Sequence, residues 1–387
     1  MKTLTISLFI LSILGPSLAR SAVWQVEKDG SGDFRVIQDA IDAAQDGDTI
    51  MIGPGRFSET HDFIDASGFV ISVCGIINKS LNILGSGQGV TFLDPSSDNR
   101  NQNDAGGLAA RSSNLECTLS GFTFANCEGH ALWYDMASGG HLEVFGVDVE
   151  NCWSGFNVVG TSDSHIYDCN IQTNGWVGAY GIWNYGGTGF HVENCHLEGK
   201  GIRFTYSANS IITNCRVQSS VTGIGLQDCA VVEISNCQIV GSSFQGLWLQ
   251  RGQNIHIHDV EVVESTSTAL YINRVESLDI RDSVFQGDDA TIYFRYSAPG
   301  FQCTNNHILP STEGWTVWAF DDYSGPDTWV DFTGNYWGTD IPGEVAASIH
   351  DGNDDPEVHW FINFEPMAGG PVVNKNLTLD GVKALFR

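Results

Sequence analysis

The sequence predicts an all-β chain wound as a parallel β-helix, a solenoid with three short strands in every coil. Three observations carry that expectation. The dipeptide Asn-Cys recurs at Asn126-Cys127, Asn151-Cys152, Asn194-Cys195, Asn214-Cys215 and Asn236-Cys237, with Asp168-Cys169 as a variant. The series continues through Asp259-Val260, Asp282-Ser283 and Asn305-Asn306, the last three steps being 23 residues each, a period typical of solenoids. The residues around each dipeptide alternate apolar and polar with period two, as in strands with one buried face.

Each unit holds three alternating segments. One precedes the Asn, as in Val232-Glu-Ile234 and Ile255-His-Ile257; one follows it, as in Cys237-Gln-Ile239 and Val260-Glu-Val262. The third begins with Gly and an aliphatic residue, as in Gly155-Phe-Asn-Val158, Gly201-Ile-Arg-Phe204 and Gly246-Leu-Trp-Leu249. Three strands in about 22 residues leave no room for helices, so each coil stacks on the last. Asn tolerates the left-handed backbone region and suits a tight bend between two strands. The residue after it points inward and must be small, which places Cys127, Cys152, Cys169, Cys195, Cys215 and Cys237 in one column. Stacked strands lie ~4.8 Å apart, close enough for neighbouring thiols to bridge, but parallel Cβ vectors suit the ~90° disulfide torsion poorly. A buried ladder of free thiols is the favoured reading and an occasional strained disulfide the alternative. No two cysteines have the close spacing of a zinc site.

The totals agree with an elongated, ordered and acidic molecule. The chain has 387 residues, 42% of them hydrophobic and 44 of them Gly, with 46 acidic against 18 basic residues and a formal charge of −28. Such a field repels nucleic acid and anionic membranes, so neither is an expected partner. At the start, Lys2, the apolar run Leu4 to Leu14 and Ser17-Leu-Ala19 form the basic, apolar and small-residue order of a secretory signal peptide cleaved near Ala19. No later run approaches the ~18 apolar residues of a membrane span. The expected product is secreted, extracellular and monomeric. Its segments are 1–19 signal peptide, 20–60 N-terminal cap and first strand, 61–340 β-helix, 341–366 C-terminal cap and 367–387 tail.

The repeat resembles those of the pectin-lyase-like superfamily of right-handed β-helices. Lys28-Asp-Gly-Ser-Gly-Asp-Phe-Arg-Val-Ile-Gln-Asp-Ala-Ile-Asp-Ala-Ala44 is similar to the opening of pectin methylesterases and their relatives. Its Ile37, Ile41 and Ala44 lie at helical spacing, so a short N-terminal helix should plug the open end of the solenoid, where unpaired strand edges invite aggregation. Ile77-Asn-Lys-Ser-Leu-Asn-Ile-Leu-Gly85 resembles an early coil, and Gly334-Asn-Tyr-Trp-Gly338 a C-terminal rung. The resemblance implies a right-handed solenoid. It implies no single chemistry, because this fold hosts lyases, hydrolases, esterases, epimerases and non-enzymes.

The families' catalytic patterns match only in fragments. Gln227-Asp228 resembles one esterase motif and Gly287-Asp-Asp-Ala-Thr-Ile-Tyr-Phe294 another, but nearly three coils separate them and no Gly-Arg-Pro-Trp follows. Polygalacturonases carry an Asp-Asp pair entering the third strand. Asp288-Asp289 occupies that region, with Glu264 one coil earlier as the nearby acidic partner. Adjacent coils supply the ~5–9.5 Å carboxylate spacings of glycosidases, so Asp288, Asp289 and Glu264 are the candidate catalytic residues; the alternative is that they are solvated turn residues. No run of aspartates on the third strand would hold the Ca²⁺ of a pectate lyase. Asp351-Gly-Asn-Asp-Asp355 is richer in oxygen ligands but lacks the EF-hand pattern. Its favoured role is a capping loop, with Ca²⁺ the one candidate cofactor.

The strongest functional pattern is on the third strand. Its outward residues, coil by coil, are Trp133, Asn157, Trp183, Arg203, Gly225, Trp248, Tyr271 and Tyr293. Two or three residues further on stand Tyr185, Tyr206, Arg251, Arg274 and Arg295. Aromatic faces stack on sugar rings and arginine forks suit carboxylate or sulfate groups. Trp133, Trp183, Arg203, Trp248, Arg251, Tyr271, Arg274, Tyr293 and Arg295 are therefore the candidate substrate-binding residues, on the face that bears the substrate groove in the relatives. His130, Lys200, Arg203 and Tyr271 are the proton-transfer groups within its reach. The alternative is that aromatic residues there suit strand surfaces and cover one another. The expected partner is a polysaccharide, rich in uronic acid if the arginines bind it. The chain is then either a lyase or hydrolase of that glycan or a non-catalytic glycan-binding or cell-surface module.

Overall fold

A computed structural model describes residues 21–371 apart from 66–67, 98–104, 176–177, 297–299 and 321–325. The expected signal peptide and residues 372–387 of the tail lie outside the described residues. Within them the chain winds as a solenoid of three parallel sheets. Sheet A holds the segment before each Asn, sheet B the segment after it, and sheet C the segment that begins with Gly. Sheet B has 11 strands; sheets A and C are counted together as 26. They are continuous because strand His130–Phe145 lies in sheet C over its first half and turns the corner into sheet A over its second.

The corners explain the recurring dipeptide. Between sheets A and B, Asp168, Asn194, Asn214, Asn236, Asp259, Asp282 and Asn305 all have φ between 52° and 56°. This left-handed conformation costs most L-residues ~1–2 kcal/mol, and Asn and Asp bear it best because their side chains bond locally. The residue after each is buried. The thiols of Cys169, Cys195, Cys215 and Cys237 point to the carbonyl two residues back, at 3.1–3.2 Å. Further along, the inner column becomes polar and self-bonded. The Val260 N–H donates to Ser283 Oγ (3.1 Å), the Ser283 N–H to Asn306 Oδ1 (3.0 Å) and the Asn306 N–H to Asn335 Oδ1 (2.7 Å).

One expectation needs correction. The six cysteines do not share a column. Asn126-Cys127 and Asn151-Cys152 follow strands of sheet B and lead into sheet C, whereas the other four lie at the A–B corner. Both corners take a left-handed residue followed by a buried inward one, so one dipeptide serves both. The A–B corners of the coils that hold Cys127 and Cys152 are instead Gly121-Phe122 and Gly146-Val147, with φ of 71° and 57°. The Cys127 N–H donates to Cys152 Sγ at 3.4 Å, within this separate pair. All ten cysteines are buried thiols. The amide ladder sits on the B–C corner: Asn151 Nδ2 donates to Asn126 Oδ1 (2.9 Å) and Asn174 Nδ2 to Asn151 Oδ1 (2.5 Å).

The glycine that opens sheet C serves close approach rather than a left-handed turn. A Cβ on Gly201 would lie 1.9 Å from the Gly223 carbonyl oxygen of the next coil. At the N-terminus the expected helix, α1, spans Ile37–Ala43 and buries Ile37, Ala40 and Ile41 against the solenoid's end. Its Gln38 accepts the Ile76 N–H (2.7 Å) and donates to the Ile76 carbonyl (3.4 Å), satisfying a strand edge. A second helix, α2, spans Pro342–Ala347. Strands from both flanking segments join the stack: Val23–Val26 and Thr49–Ile52 begin sheet A, Ile349–His350 extends sheet C and Trp360–Asn363 extends sheet A.

Candidate functional site

Strand register puts the outward residues of sheet C in a single file. Trp133 pairs with Asn157, Asn157 with Trp183, Trp183 with Arg203, Arg203 with Gly225 and Gly225 with Trp248. Tyr271, Tyr293, Trp318 and His350 continue it. Trp318 and His350 were missed in the sequence because the Asn-Cys marker stops before them. The alternation in Trp315-Thr-Val-Trp-Ala-Phe320 is the pattern that could have found Trp318, whereas the two-residue strand Ile349–His350 carries no such signal.

A second outward file runs beside the first: Tyr185, Thr205, Gln227, Gln250, Asn273, Arg295 and Phe320. A third borders it at the C–A corner, where Tyr206, Asp228, Arg251, Arg274 and Tyr296 have φ of 51–56°. The corner geometry needs a left-handed residue. Tyr and Arg are poor at it, so each bears local strain of order 1 kcal/mol. Residues kept under such strain along one edge of one face are a reason to look for function there.

The first file is part open and part self-covered. At its start Trp133 packs with the apolar cluster Phe63, Ile71, Val73 and Ala109. His130 lies edge-on to Trp133 and Trp153, at ring distances of 4.8 and 5.3 Å, and burial lowers its pKa to about 4. Asn157 is 2% exposed. His130 Nδ1, Trp133 Nε1 and Asn157 Oδ1 are buried without a hydrogen-bond partner among the described residues. Burial likewise lowers the Lys200 pKa.

The open stretch begins at Trp183, whose ring meets Tyr185 edge-on, as Tyr185 meets Tyr206. Tyr185 is 39% and Tyr206 52% exposed. In the middle, the Arg203 guanidinium lies 4.0 Å from the Trp248 ring, a cation–π contact. Gly225 makes room for it, since a Cβ there would meet Arg203 Nη1 at 2.9 Å. Arg203 also donates to Gln227 Oε1, and burial lowers its pKa. Beyond, Tyr271 and Tyr293 stack at 5.2 Å with 10° between planes, and Trp318 meets Tyr293 edge-on. For this pair the covering alternative holds: each hides one face of the other.

The remaining arginines are engaged. Arg251 forks onto Asp228, Nε to Oδ1 at 2.6 Å and Nη2 to Oδ2 at 2.7 Å; this bond lowers the Asp228 pKa and raises that of Arg251. The guanidiniums of Arg274 and Arg295 lie 4.8 and 4.7 Å from the Tyr296 ring.

The three candidate acids lie on the B–C corner, outside these files. Glu264 is exposed and left-handed near the end of strand Glu261–Ser265. The Asp288 N–H donates to the Ser265 carbonyl (3.0 Å) and that of Asp289 to Ser267 (2.9 Å), so the pair sits one coil on from Glu264. Thr312 Oγ1 donates to Asp288 Oδ1 at 2.8 Å. These bonds belong to turn structure. In the Asp351 loop the carboxylate is also turned inward: Oδ1 accepts the Asn353 N–H and Oδ2 the Ile362 N–H, each at 2.8 Å. Among the described residues no group of three or more His, Cys, Asp or Glu side chains is placed to hold a metal ion. No described helix is long and apolar enough to cross a membrane.

Comparison with known proteins follows the same lines. A tailspike protein of E. coli bacteriophage HK620, solved with a pentasaccharide, superposes with a TM-score of 0.57 at 14% identity, over 83% of this chain and 67% of that one. The A-module of a mannuronan C-5 epimerase from Azotobacter vinelandii gives 0.46 at 13% identity, over 74% and 93%. A rhamnogalacturonan lyase gives 0.45 at 12% identity, over 80% and 84%. At these identities the likeness is one of fold. No curated protein matches in sequence. The model of the right-handed β-helix region matches residues 105–259 and 176–308, the same coils whose corners and files are described above. The chain belongs to the right-handed β-helix family.

Proposed function

We propose that the outer face of sheet C binds a polysaccharide laid along the solenoid axis, and that the protein is an exported, monomeric glycan-binding β-helix. The observation that carries this is the unbroken register of Trp183, Arg203, Gly225, Trp248 and Tyr271, with exposed Tyr185 and Tyr206 beside it. Coils ~4.8 Å apart repeat at about the length of one sugar unit, and an exposed apolar row on a soluble surface marks a binding site. The pentasaccharide in complex with the tailspike protein supports the same reading by analogy of fold. Export rests on the order of residues 2–19.

A panel of soluble polysaccharides run by affinity electrophoresis tests it. Trp183→Ala should lower the affinity of the retarding glycan about tenfold, or 1.4 kcal/mol, whereas Trp329→Ala on sheet A, 67% exposed, should leave it unchanged. Equal binding by both variants, or no retardation by any glycan, would remove the proposal. A second reading, cleavage by Glu264 with Asp288, draws on their adjacent coils. It requires new reducing ends or a rise in ultraviolet absorbance in the same mixtures, lost in Asp288→Asn.

A further inference from the structure

Resting on the glycan-binding reading, we infer that the sugar this face takes is neutral: hydroxyl groups are recognised by a file of uncharged amides, and uronate carboxylates are refused. The inference reverses the expectation drawn from the arginines. A carboxylate taken out of water needs an opposite charge with free donors, or it bears an uncompensated desolvation cost. The arginines along this stretch are instead held by neighbours within the face. The Arg251 fork is closed on Asp228, Arg203 lies over Trp248 and bonds Gln227, and Arg274 and Arg295 flank the ring of Tyr296. Glu264, Asp288 and Asp289 line the opposite border, within a chain of net charge −28, so the long-range field also disfavours a polyanion.

Over four consecutive coils, between Tyr185 and Arg295, what faces outward beside the aromatic file is uncharged. Thr205, Gln227, Gln250 and Asn273 are successive partners in register, one per coil. Asn273 Oδ1 is buried and accepts no hydrogen bond from the described residues, and an unmet acceptor of this kind is costly unless a ligand or water donor reaches it. An amide offers two donors and an acceptor, which matches a pair of neighbouring hydroxyls, and the aromatic rings take the apolar side of the same sugar. Asn157 Oδ1 and Trp133 Nε1, at the start of the file, are unmet groups of the same uncharged kind.

Calorimetric titration of the full chain separates the outcomes. The probes are soluble neutral glycans (a β-glucan, a galactomannan and a xylan) and two polyuronates (polygalacturonate and alginate), each at 20 and 500 mM salt. A neutral glycan should bind with affinity changing less than about twofold between the two salts, because screening acts only on charge. Gln250→Ala with Asn273→Ala should weaken it at least tenfold at an unchanged melting temperature, and Arg274→Gln should leave it within twofold. Polyuronate binding tenfold tighter than any neutral glycan, falling with salt and lost in Arg274→Gln, would overturn the inference while leaving the glycan-binding face standing. Silence from every probe would overturn both.

Discussion

At the scale of single residues, the corners make the sharpest demands. Asn214, with φ of 53°, holds the A–B bend between strands Ala208–Thr213 and Arg216–Gln218. Asn214→Ala should destabilise the fold by about 1 kcal/mol, and Asn214→Gly should come close to neutral; urea midpoints compare them. Tyr206 bears the same conformation without an Asn's ability to tolerate it. Tyr206→Asn should leave the urea midpoint unchanged or raised while weakening glycan affinity. A fall in stability with affinity intact would make Tyr206 a packing residue. Thiols give a pH dependence. Burial pushes the pKa of Cys169 and Cys303 above the ordinary value of about 9. Their folded values exceed their unfolded ones, so the neutral thiols' contribution is whole below pH ~9 and is lost as pH rises toward the folded values. Cys169→Ala with Cys303→Ala should flatten the decline of the urea midpoint between pH 8 and 10.5; an identical decline would contradict the assignment.

At the scale of strands and corners, period two and the left-handed Asn made sheets A, B and C legible, because both follow from local stereochemistry. The column of six cysteines was misread for the same reason. A left-handed residue followed by a small one satisfies either corner, and only the short step from Cys152 to Cys169, 17 residues against 20 to 26 for the other steps within that set of six, marks the change. The outward file could be read from Trp133 to Tyr293 because alternation fixes which residues face out. Side-chain partners were another matter. That Arg251 would close on Asp228, and Arg203 on Trp248 across Gly225, depends on contacts between residues in different coils, which no local pattern encodes. Gly225→Val should push Arg203 off the indole, blue-shift or brighten the Trp248 emission and lower glycan affinity; an unchanged spectrum would mean that the gap at Gly225 is not what seats the guanidinium.

At the scale of the whole molecule, the solenoid is a rod with sugar-sized repeats and one face unlike the other two. Sheet A carries His165, His191 and His256 with Glu233 and Asp279 on its outside, and sheet B carries Asp148, Asn170, His196 and Arg216. Among the described residues, sheet C alone presents the long aromatic file with amides beside it. That contrast makes hydroxyl-radical footprinting, with and without the tightest-binding polysaccharide, the most direct test. Trp183, Tyr185 and Tyr206 should lose oxidation when the glycan is added, while Trp329 on sheet A stays fully reactive and serves as the internal control. Protection at Trp329 with sheet C still oxidised would contradict the placement of the glycan on that face.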